Sequence, residues 1–382
     1  MPAAGTTRFE GSIPLSDITA AHPLTAYGWD AGRAQEFTPY AERGLLPGRL
    51  VRIDRGRVDA VVPDADGVRT VLASTAPVAT GDPLKVPCTG DWAVIDPGSG
   101  PDAVVRALLP RRTALVRSAS SKRSEGQILA ANVDTAVVAV SLAEPLDLGR
   151  VERFVSLAWE SGATPLVALT KADLVPDGAG LAHLVADTEG AAPGVQVLAV
   201  SAATGAGLDV LTAVLSGGTA VLLGRSGAGK STLANAVIGT DVQHVHAVRD
   251  RDGKGRHTTT TRDLLVLPAG GVLIDTPGLR GVGMWDAEGG LARTFTDVEE
   301  LADGCRFHDC AHTTEPGCAV LAAVDAGELA ERRLDSYRKL LRENQYLAAR
   351  TDARLRAELR RDWKQKQALG RHMGERKRGQ RR

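Results

Sequence analysis

Residues 221–231 read VLLGRSGAGKS. The apolar run 221–223 ends at Gly224, and Gly229, Lys230 and Ser231 complete the pattern G-x-x-x-x-G-K-[ST]. The run predicts a buried strand, and residues 231–237 predict the start of a helix. That strand–loop–helix context is what a phosphate-binding loop needs. Glycines let backbone N–H groups turn inward on phosphate oxygens where a Cβ would obstruct them. The helix N-terminus adds partial positive charge at the same place. The residues expected around a nucleoside triphosphate are Gly224, Arg225, Ser226, Gly227, Ala228, Gly229, Lys230, Ser231 and Thr232. Lys230 is the expected catalytic cation on the terminal phosphates, and the Ser231 hydroxyl an expected Mg²⁺ ligand.

The chain around this loop has 382 residues, enough for two or three domains and a sizeable core. Its 43% hydrophobic and 24% charged content describes a globular protein. No segment approaches the length of an apolar membrane span. A basic region followed by an apolar core is missing at the N-terminus, so no secretory signal is read. The expectation is a cytoplasmic protein with no membrane partner. Of four cysteines, Cys305, Cys310 and Cys318 share one short stretch, which suggests a metal site more than a disulfide framework. Cys88 stands apart.

Upstream, residues 1–46 lack a clear period and read as an N-terminal extension in which Tyr27, Trp29, Phe37 and Tyr40 are available to pack. Residues 47–110 alternate apolar and polar positions in about five short strands, the pattern of a small β-barrel of the oligonucleotide-binding (OB) type. Arg49, Arg52, Arg55 and Arg57 on its strands are candidates for phosphate contacts, with an ordinary solvated face as the alternative. Residues 111–127, basic and serine-rich, read as a linker. From residue 128 buried strands (133–142, 165–169, 195–200, 219–223) alternate with helical patterns (148–159, 208–215), which predicts an α/β domain with a parallel sheet between helices.

Four loops of this domain carry chemistry. Thr170-Lys171-Ala172-Asp173 follows a buried strand and fits the guanine-reading pattern [NT]-K-x-D. An Asp173 carboxylate accepts from N1 and N2 of guanine, groups that adenine does not offer, and the Lys171 stem lies along the base plane. Ser201-Ala202 follows another buried strand, where backbone N–H groups meet the guanine O6. Gly255-Arg256-His257 leads into threonines 258–261, one of which can complete the Mg²⁺ shell in a mobile loop. Asp275-Thr276-Pro277-Gly278 ends an apolar strand: Asp275 holds Mg²⁺ through water and the Gly278 N–H reaches the terminal phosphate.

Together these motifs resemble the translation-factor-type GTPases, but in rotated order. TKAD and SA precede the phosphate loop instead of following DTPG, the signature of circularly permuted GTPases. A permutation keeps the site because chain ends can move between spatial neighbours. With a barrel in front and a cysteine cluster behind, residues 48–363 resemble the ribosome small-subunit-dependent GTPase A family, which matures the small ribosomal subunit. The resemblance implies hydrolysis of GTP to GDP and phosphate, a monomer, and binding to the small ribosomal subunit and its rRNA. One departure is Thr170, where Asn is commoner, so the hydrogen bond that props the base pocket is expected to be lost or altered.

Cys305-x4-Cys310-x-His312-x5-Cys318 offers three thiolates and one imidazole, enough for a closed tetrahedral zinc site of structural type. His308 is a substitute ligand in principle, and the family pattern favours His312. Beyond it Leu334, Tyr337, Leu341 and Leu347 form an apolar helical stripe. The tail from 351 to 382 holds twelve basic and four acidic side chains, so the formal net charge of zero hides a nucleic-acid-binding end. The expected domains are thus 1–46, barrel 47–110, linker 111–127, GTPase 128–290, zinc-binding helical domain 291–350 and basic tail 351–382.

Position Leu279, just after DTPG, is apolar where many GTPases carry the water-orienting Gln. The resemblance suggests His257 instead, and makes Thr259 or Thr260 as good a Mg²⁺ ligand as Thr258. Without a pre-placed catalytic group, turnover is expected to be slow until the ribosomal subunit orders the threonine loop. A P-loop ATPase or kinase would leave TKAD unexplained. An RNA-binding protein without nucleotide chemistry would leave Lys230, Ser231 and Asp275 unexplained, and a regulatory GTPase acting on another ribonucleoprotein is the alternative within the same class.

Overall fold

The computed structural model describes residues 22–54, 56–98, 102–118, 126–239, 263–275, 288–351 and 361. Strands β1 (Leu46–Asp54), β2 (Arg57–Asp64), β3 (Gly67–Ser74), β4 (Trp92–Asp96) and β5 (Ala103–Leu108) close a barrel in the order β1-β2-β3-β5-β4. Only β3 and β5 pair in parallel among these strands. Leu50, Val58, Ala60, Val62, Ala73, Ile95 and Val105 fill the interior. Helix α1 (Ala31–Ala41) precedes the barrel and is capped by Asp30, which accepts from the Arg33 N–H at 2.8 Å. Trp29 packs edge-on against Trp92, ring centroids 5.0 Å apart, so the aromatic residues of the extension cover one end of the barrel.

The stretch expected as a linker differs. It carries β6 (Ala114–Ser118), which pairs antiparallel with β7 (Gly126–Ala131). Leu115 is fully buried in the core of the next domain, and an apolar residue at that place is what converts the basic segment into a strand.

The nucleotide domain is built on β8 (Thr135–Ser141), β9 (Thr164–Thr170), β10 (Gln196–Val200), β11 (Thr219–Leu223), β12 (Asp263–Val266) and β13 (Val272–Asp275). The sheet order is β10-β9-β8-β11-β13-β12, parallel throughout except for β12. Its strands are apolar on both faces because helices cover both. Ala136, Val138, Val167, Leu169, Val221 and Leu223 face α2 (Leu148–Glu160). The alternate residues Val137, Leu166, Ala168, Ala220 and Leu222 face α4 (Leu208–Leu215) and α5 (Lys230–Ile238). Helix α3 (Gly178–Ala191) links β9 to β10. This period-two division is the pleat of a strand read off its burial.

Helices α6 (Glu288–Thr294), α7 (Thr296–Ala302), α8 (Ala319–Asp325) and α9 (Glu331–Thr351) follow. Leu334, Tyr337 and Leu340 of α9 are buried against Phe295, Val298 and Val320, with Leu341 and Leu347 packed at the rim.

Of the barrel arginines expected on an exposed face, Arg49 is buried, whereas Arg52 and Arg57 are exposed. Arg49 is 1% exposed, and its guanidinium lies 4.8 Å from the Trp92 ring centroid and donates to Thr219 Oγ at 3.0 Å. The outer side of β1 is covered here by the nucleotide domain, so alternation alone misassigned it to solvent. Burial pushes the Arg49 pKa down to about 10. Arg52 pairs with Asp263 at 3.7 Å and Arg57 with Asp102 at 3.0 Å. Arg55 lies outside the described residues.

Candidate functional site

The phosphate loop leaves β11 at the carboxyl edge of the sheet, where nucleotides bind α/β folds. Gly224 has φ of 138°, and a Cβ there would meet the Ala139 carbonyl oxygen at 2.4 Å, so only glycine fits. Gly229, with φ of 79°, is the residue from which α5 starts. The helix therefore presents its first N–H groups toward the loop, with Lys230, Ser231 and Thr232 in its first turn. The Lys230 ammonium donates to the carbonyls of Gly224 at 2.7 Å and Arg225 at 2.6 Å, so it folds back over the loop instead of pointing away.

The loop of Thr170 and Lys171 is tied to the phosphate loop by two bonds. Thr170, buried at the end of β9, donates its hydroxyl to the Ala228 carbonyl at 2.8 Å. Threonine at this position therefore does supply a hydrogen bond to the phosphate loop. Lys171 takes a left-handed conformation, φ 59°, and its ammonium donates to the Gly227 carbonyl at 3.1 Å. The exposed Asp173 carboxylate accepts from the buried Ser201 hydroxyl at 2.5 Å. That bond occupies Oδ1 and orients the carboxylate. Ser201 in turn donates its N–H to Ala206, and Gly207, with φ of 72°, closes the turn that holds Ser201-Ala202 in place. Sequence reasoning assigned Ser201 a backbone role and missed this side-chain role. Its signal was a hydroxyl residue at the end of a buried strand beside the strand that carries Asp173.

Asp275 is the last residue of β13, one step beyond the pairing of Ile274 with Val221 of the phosphate-loop strand. His257, Thr258, Thr259, Thr260, Thr261 and Gly278 lie outside the described residues.

At the other end of the chain, Cys305, Cys310, His312 and Cys318 bring one ligand atom each to within 4.8 Å of one another. Cys305 Sγ is 3.8 Å from Cys318 Sγ, and His312 Nδ1 lies 3.6 and 3.4 Å from the same two sulfurs. A tetrahedron with metal–sulfur bonds of about 2.3 Å has sulfur–sulfur edges of about 3.8 Å, so the donor set fits a metal ion without rearrangement. His308 is exposed and belongs to no such group. The loop is held from outside the ligand set as well. His312 has φ of 53°, and the Arg338 guanidinium donates to its carbonyl. Glu315 accepts from the N–H groups of Thr313 at 2.6 Å and Thr314 at 2.9 Å, and these bonds hold its pKa down at about 2. Cys318 doubles as the cap of α8, its sulfur accepting from the Leu321 N–H at 3.4 Å.

Known proteins resemble this chain in sequence and in fold. The model of the RsgA GTPase family matches residues 108–285. A protein of Streptomyces avermitilis, "Small ribosomal subunit biogenesis GTPase RsgA", is 67% identical over 369 residues, covering 97% of this chain and 98% of that one. "Small ribosomal subunit biogenesis GTPase RsgA 2" of Lactiplantibacillus plantarum is 39% identical over 91% of this chain and 97% of its own. Among solved structures, YjeQ from Thermotoga maritima superposes with a TM-score of 0.58 at 27% identity, over 78% of this chain and 98% of that one. YloQ, a circularly permuted GTPase, shares the fold with a TM-score of 0.58 at 23% identity, over 79% of this chain and 95% of its own. With a permuted guanine-nucleotide site in front of a metal-ligating module, and relatives that match it almost end to end, the chain belongs to the RsgA family of circularly permuted GTPases and is a GTP hydrolase.

Proposed function

We propose that this chain hydrolyses GTP to GDP and phosphate while bound to the small ribosomal subunit, and that the cycle serves late maturation of that subunit. The observation that carries the reading is the rope of hydrogen bonds from Thr170 and Lys171 to the phosphate loop, which joins a guanine-reading loop to a triphosphate-binding loop. Relatives matched over nearly their whole length carry small-subunit biogenesis in their names.

In this reading Asp173 selects guanine, the backbone of Ser201 and Ala202 meets its O6, and residues 224–232 cradle the phosphates. Lys230 neutralises charge that builds on the transferred and leaving oxygens. Ser231, Thr259 and Asp275 would hold Mg²⁺, for which hydroxyl and carboxylate oxygens are suitable donors, and the ion would supply charge neutralisation when bound. Gly278 reaches the terminal phosphate and His257 orients the attacking water. The three-cysteine, one-histidine set would hold zinc, which thiolate and imidazole donors in a tetrahedron suit, and with no open position its role would be structural.

The chain divides into an extension to residue 46, a barrel to 110, a connecting segment to 127 that holds β6 and the start of β7, the GTPase domain to 290, the zinc domain to 350 and a basic tail. Barrel, zinc domain and tail grip ribosomal RNA, and the protein works as a cytoplasmic monomer. Among the described residues no helix is long and apolar enough to cross a membrane. Co-sedimentation with small subunits tests the coupling. Binding should be at least tenfold tighter with a non-hydrolysable GTP analogue than with GDP, and equal affinity would remove it.

A further inference from the structure

Beyond the sheet that it covers, helix α2 meets α9 and the phosphate loop through two contacts of opposite character. Toward α9 the contact is buried and bonded. Glu152, fully buried in the middle of α2, accepts from Arg333 at 2.8 Å, from Arg332 at 3.1 Å and from the Ser336 hydroxyl. Arg333 is itself buried and donates onward to the carbonyls of Ala191 and Thr294, both at 2.7 Å, and to Asp297 at 2.8 Å. Its guanidinium lies 4.2 Å from the Phe295 ring centroid. Helix α6 is pressed onto α2 as well: a Cβ at Gly290 would come within 2.2 Å of the Ser156 carbonyl oxygen. A charge pair this buried and this fully bonded resists displacement, because moving either partner strands a charge in low dielectric.

Toward the phosphate loop the contact is a cleft. Asp147, Arg150, Val151 and Phe154 of the α2 end form one wall and residues 225–228 the other. Glu144, just before α2, bridges it to Arg225 at 3.2 Å, and both side chains are more than half exposed. Such a pair is soft. The helix is therefore stiff toward the metal-binding module and compliant toward the phosphate loop. A small shift of the α2 end would change the width of the cleft, in the manner of helix shifts at packed interfaces.

We propose that Glu152 is a positioning residue for subunit-stimulated GTP hydrolysis: it fixes α2 to the metal-binding module, so that the small subunit's hold on the module reaches residues 225–228. This rests on the subunit-coupled reading given above. The relay runs through α2 and the cleft, and does not require the barrel.

The test compares the full wild-type chain with Glu152→Gln, measuring GTP turnover with and without purified small subunits and subunit affinity by sedimentation. In Glu152→Gln the kcat and KM without subunits stay within twofold of wild type, subunit affinity is unchanged, and the subunit-stimulated kcat falls at least fivefold. The double variant Arg332→Ala/Ser336→Ala removes two of the three donors from the solvent side, and serves if the glutamine variant does not fold. It should show a smaller loss of the same kind. A stimulated kcat equal to wild type in the folded variants overturns the proposal. So does a loss of subunit affinity large enough to explain the drop, because Glu152 would then shape the grip and not relay it. A wild type that subunits do not stimulate overturns the underlying functional reading, and is seen before any variant is made.

Discussion

The hydroxyl of Thr170 and the carbonyl of Ala228 are 2.8 Å apart, and through that bond the end of β9 holds the phosphate loop in shape. The hydroxyl is buried and reaches the Val140 carbonyl as well, at 3.3 Å. Thr170→Val keeps the volume and deletes the donor, leaving the Ala228 carbonyl without it. Losing a buried bond of this kind costs about 1–2 kcal/mol, so GTP and GDP affinity should fall about 5–30-fold. Titration with a fluorescent guanine nucleotide measures this. Thr170→Asn, which also offers a donor, should stay close to wild type, and equal loss in both variants would show that volume matters and not the bond.

If Asp173 reads guanine as proposed, Asp173→Asn replaces one of its acceptors with a donor. GTP affinity should drop by at least tenfold with ATP binding unimproved, since adenine lacks the N2 group (about 1–3 kcal/mol for a mismatched charged bond). Ser201→Ala removes the hydroxyl that orients Asp173 at 2.5 Å and should cost a smaller factor of the same sign. Competition of GTP binding by ATP and GTP reads both. Equal competition by the two nucleotides in wild type would contradict the assignment of Asp173.

The four-ligand cluster predicts about one zinc per chain by elemental analysis. Cys318→Ser should remove the metal and lower the melting temperature, because Cys318 both belongs to the ligand set and caps α8. Cys88→Ser should leave the metal content unchanged, since Cys88 is buried with Ile128 and Ala131, away from the cluster. A folded wild-type protein free of metal would contradict the site.

Much of this was legible in residue order. The phosphate loop, the turn after β9 and the cysteine spacing are local patterns, because backbone geometry or metal geometry demands particular residues a few positions apart; of DTPG only Asp275 lies among the described residues. The alternation of apolar strands with helical spacing was legible for the same reason. What the sequence hid was what covers an outward face. Arg49 alternates as a solvent-facing barrel residue, yet it is buried because another domain lies over it, at Thr219, 170 residues away. The charged pair of Glu152 and Arg333 joins residues 181 apart and looks in sequence like two ordinary helix-surface charges. Leu115 turned a basic segment into a strand for the same reason: its partner core belongs to a later part of the chain.

Arg49→Ala is accordingly a stability variant. It removes a charged donor from the Thr219 hydroxyl and a cation from the Trp92 ring, and should cost about 2–4 kcal/mol by urea unfolding. The salt dependence of RNA binding should stay as in wild type. A salt slope reduced by about one would return Arg49 to the role of a phosphate contact.

Asp30 gives a pH signature. The Arg112 guanidinium hydrogen-bonded to it, helped by the Arg33 N–H, lowers its pKa from 3.8 to about 2. A carboxyl depressed in the folded state contributes stability above the unfolded pKa and loses it as pH falls through the folded one. The contribution of Asp30 should be intact above pH 4 and gone near pH 2. Since both side chains are nearly half exposed, solvent screening keeps it within about 1 kcal/mol. Asp30→Asn retains a capping side chain, so the stability difference from wild type should vanish as pH approaches 2. A difference that persists there would place the effect in the helix cap and not in the ion pair.

The most direct measurement is steady-state GTP turnover by the full chain, alone and with purified small ribosomal subunits, beside the Lys230→Ala variant. Slow turnover alone, acceleration of at least tenfold by subunits, and no turnover in Lys230→Ala are the predicted results. Rates indifferent to the subunit, or normal turnover without Lys230, would contradict the account.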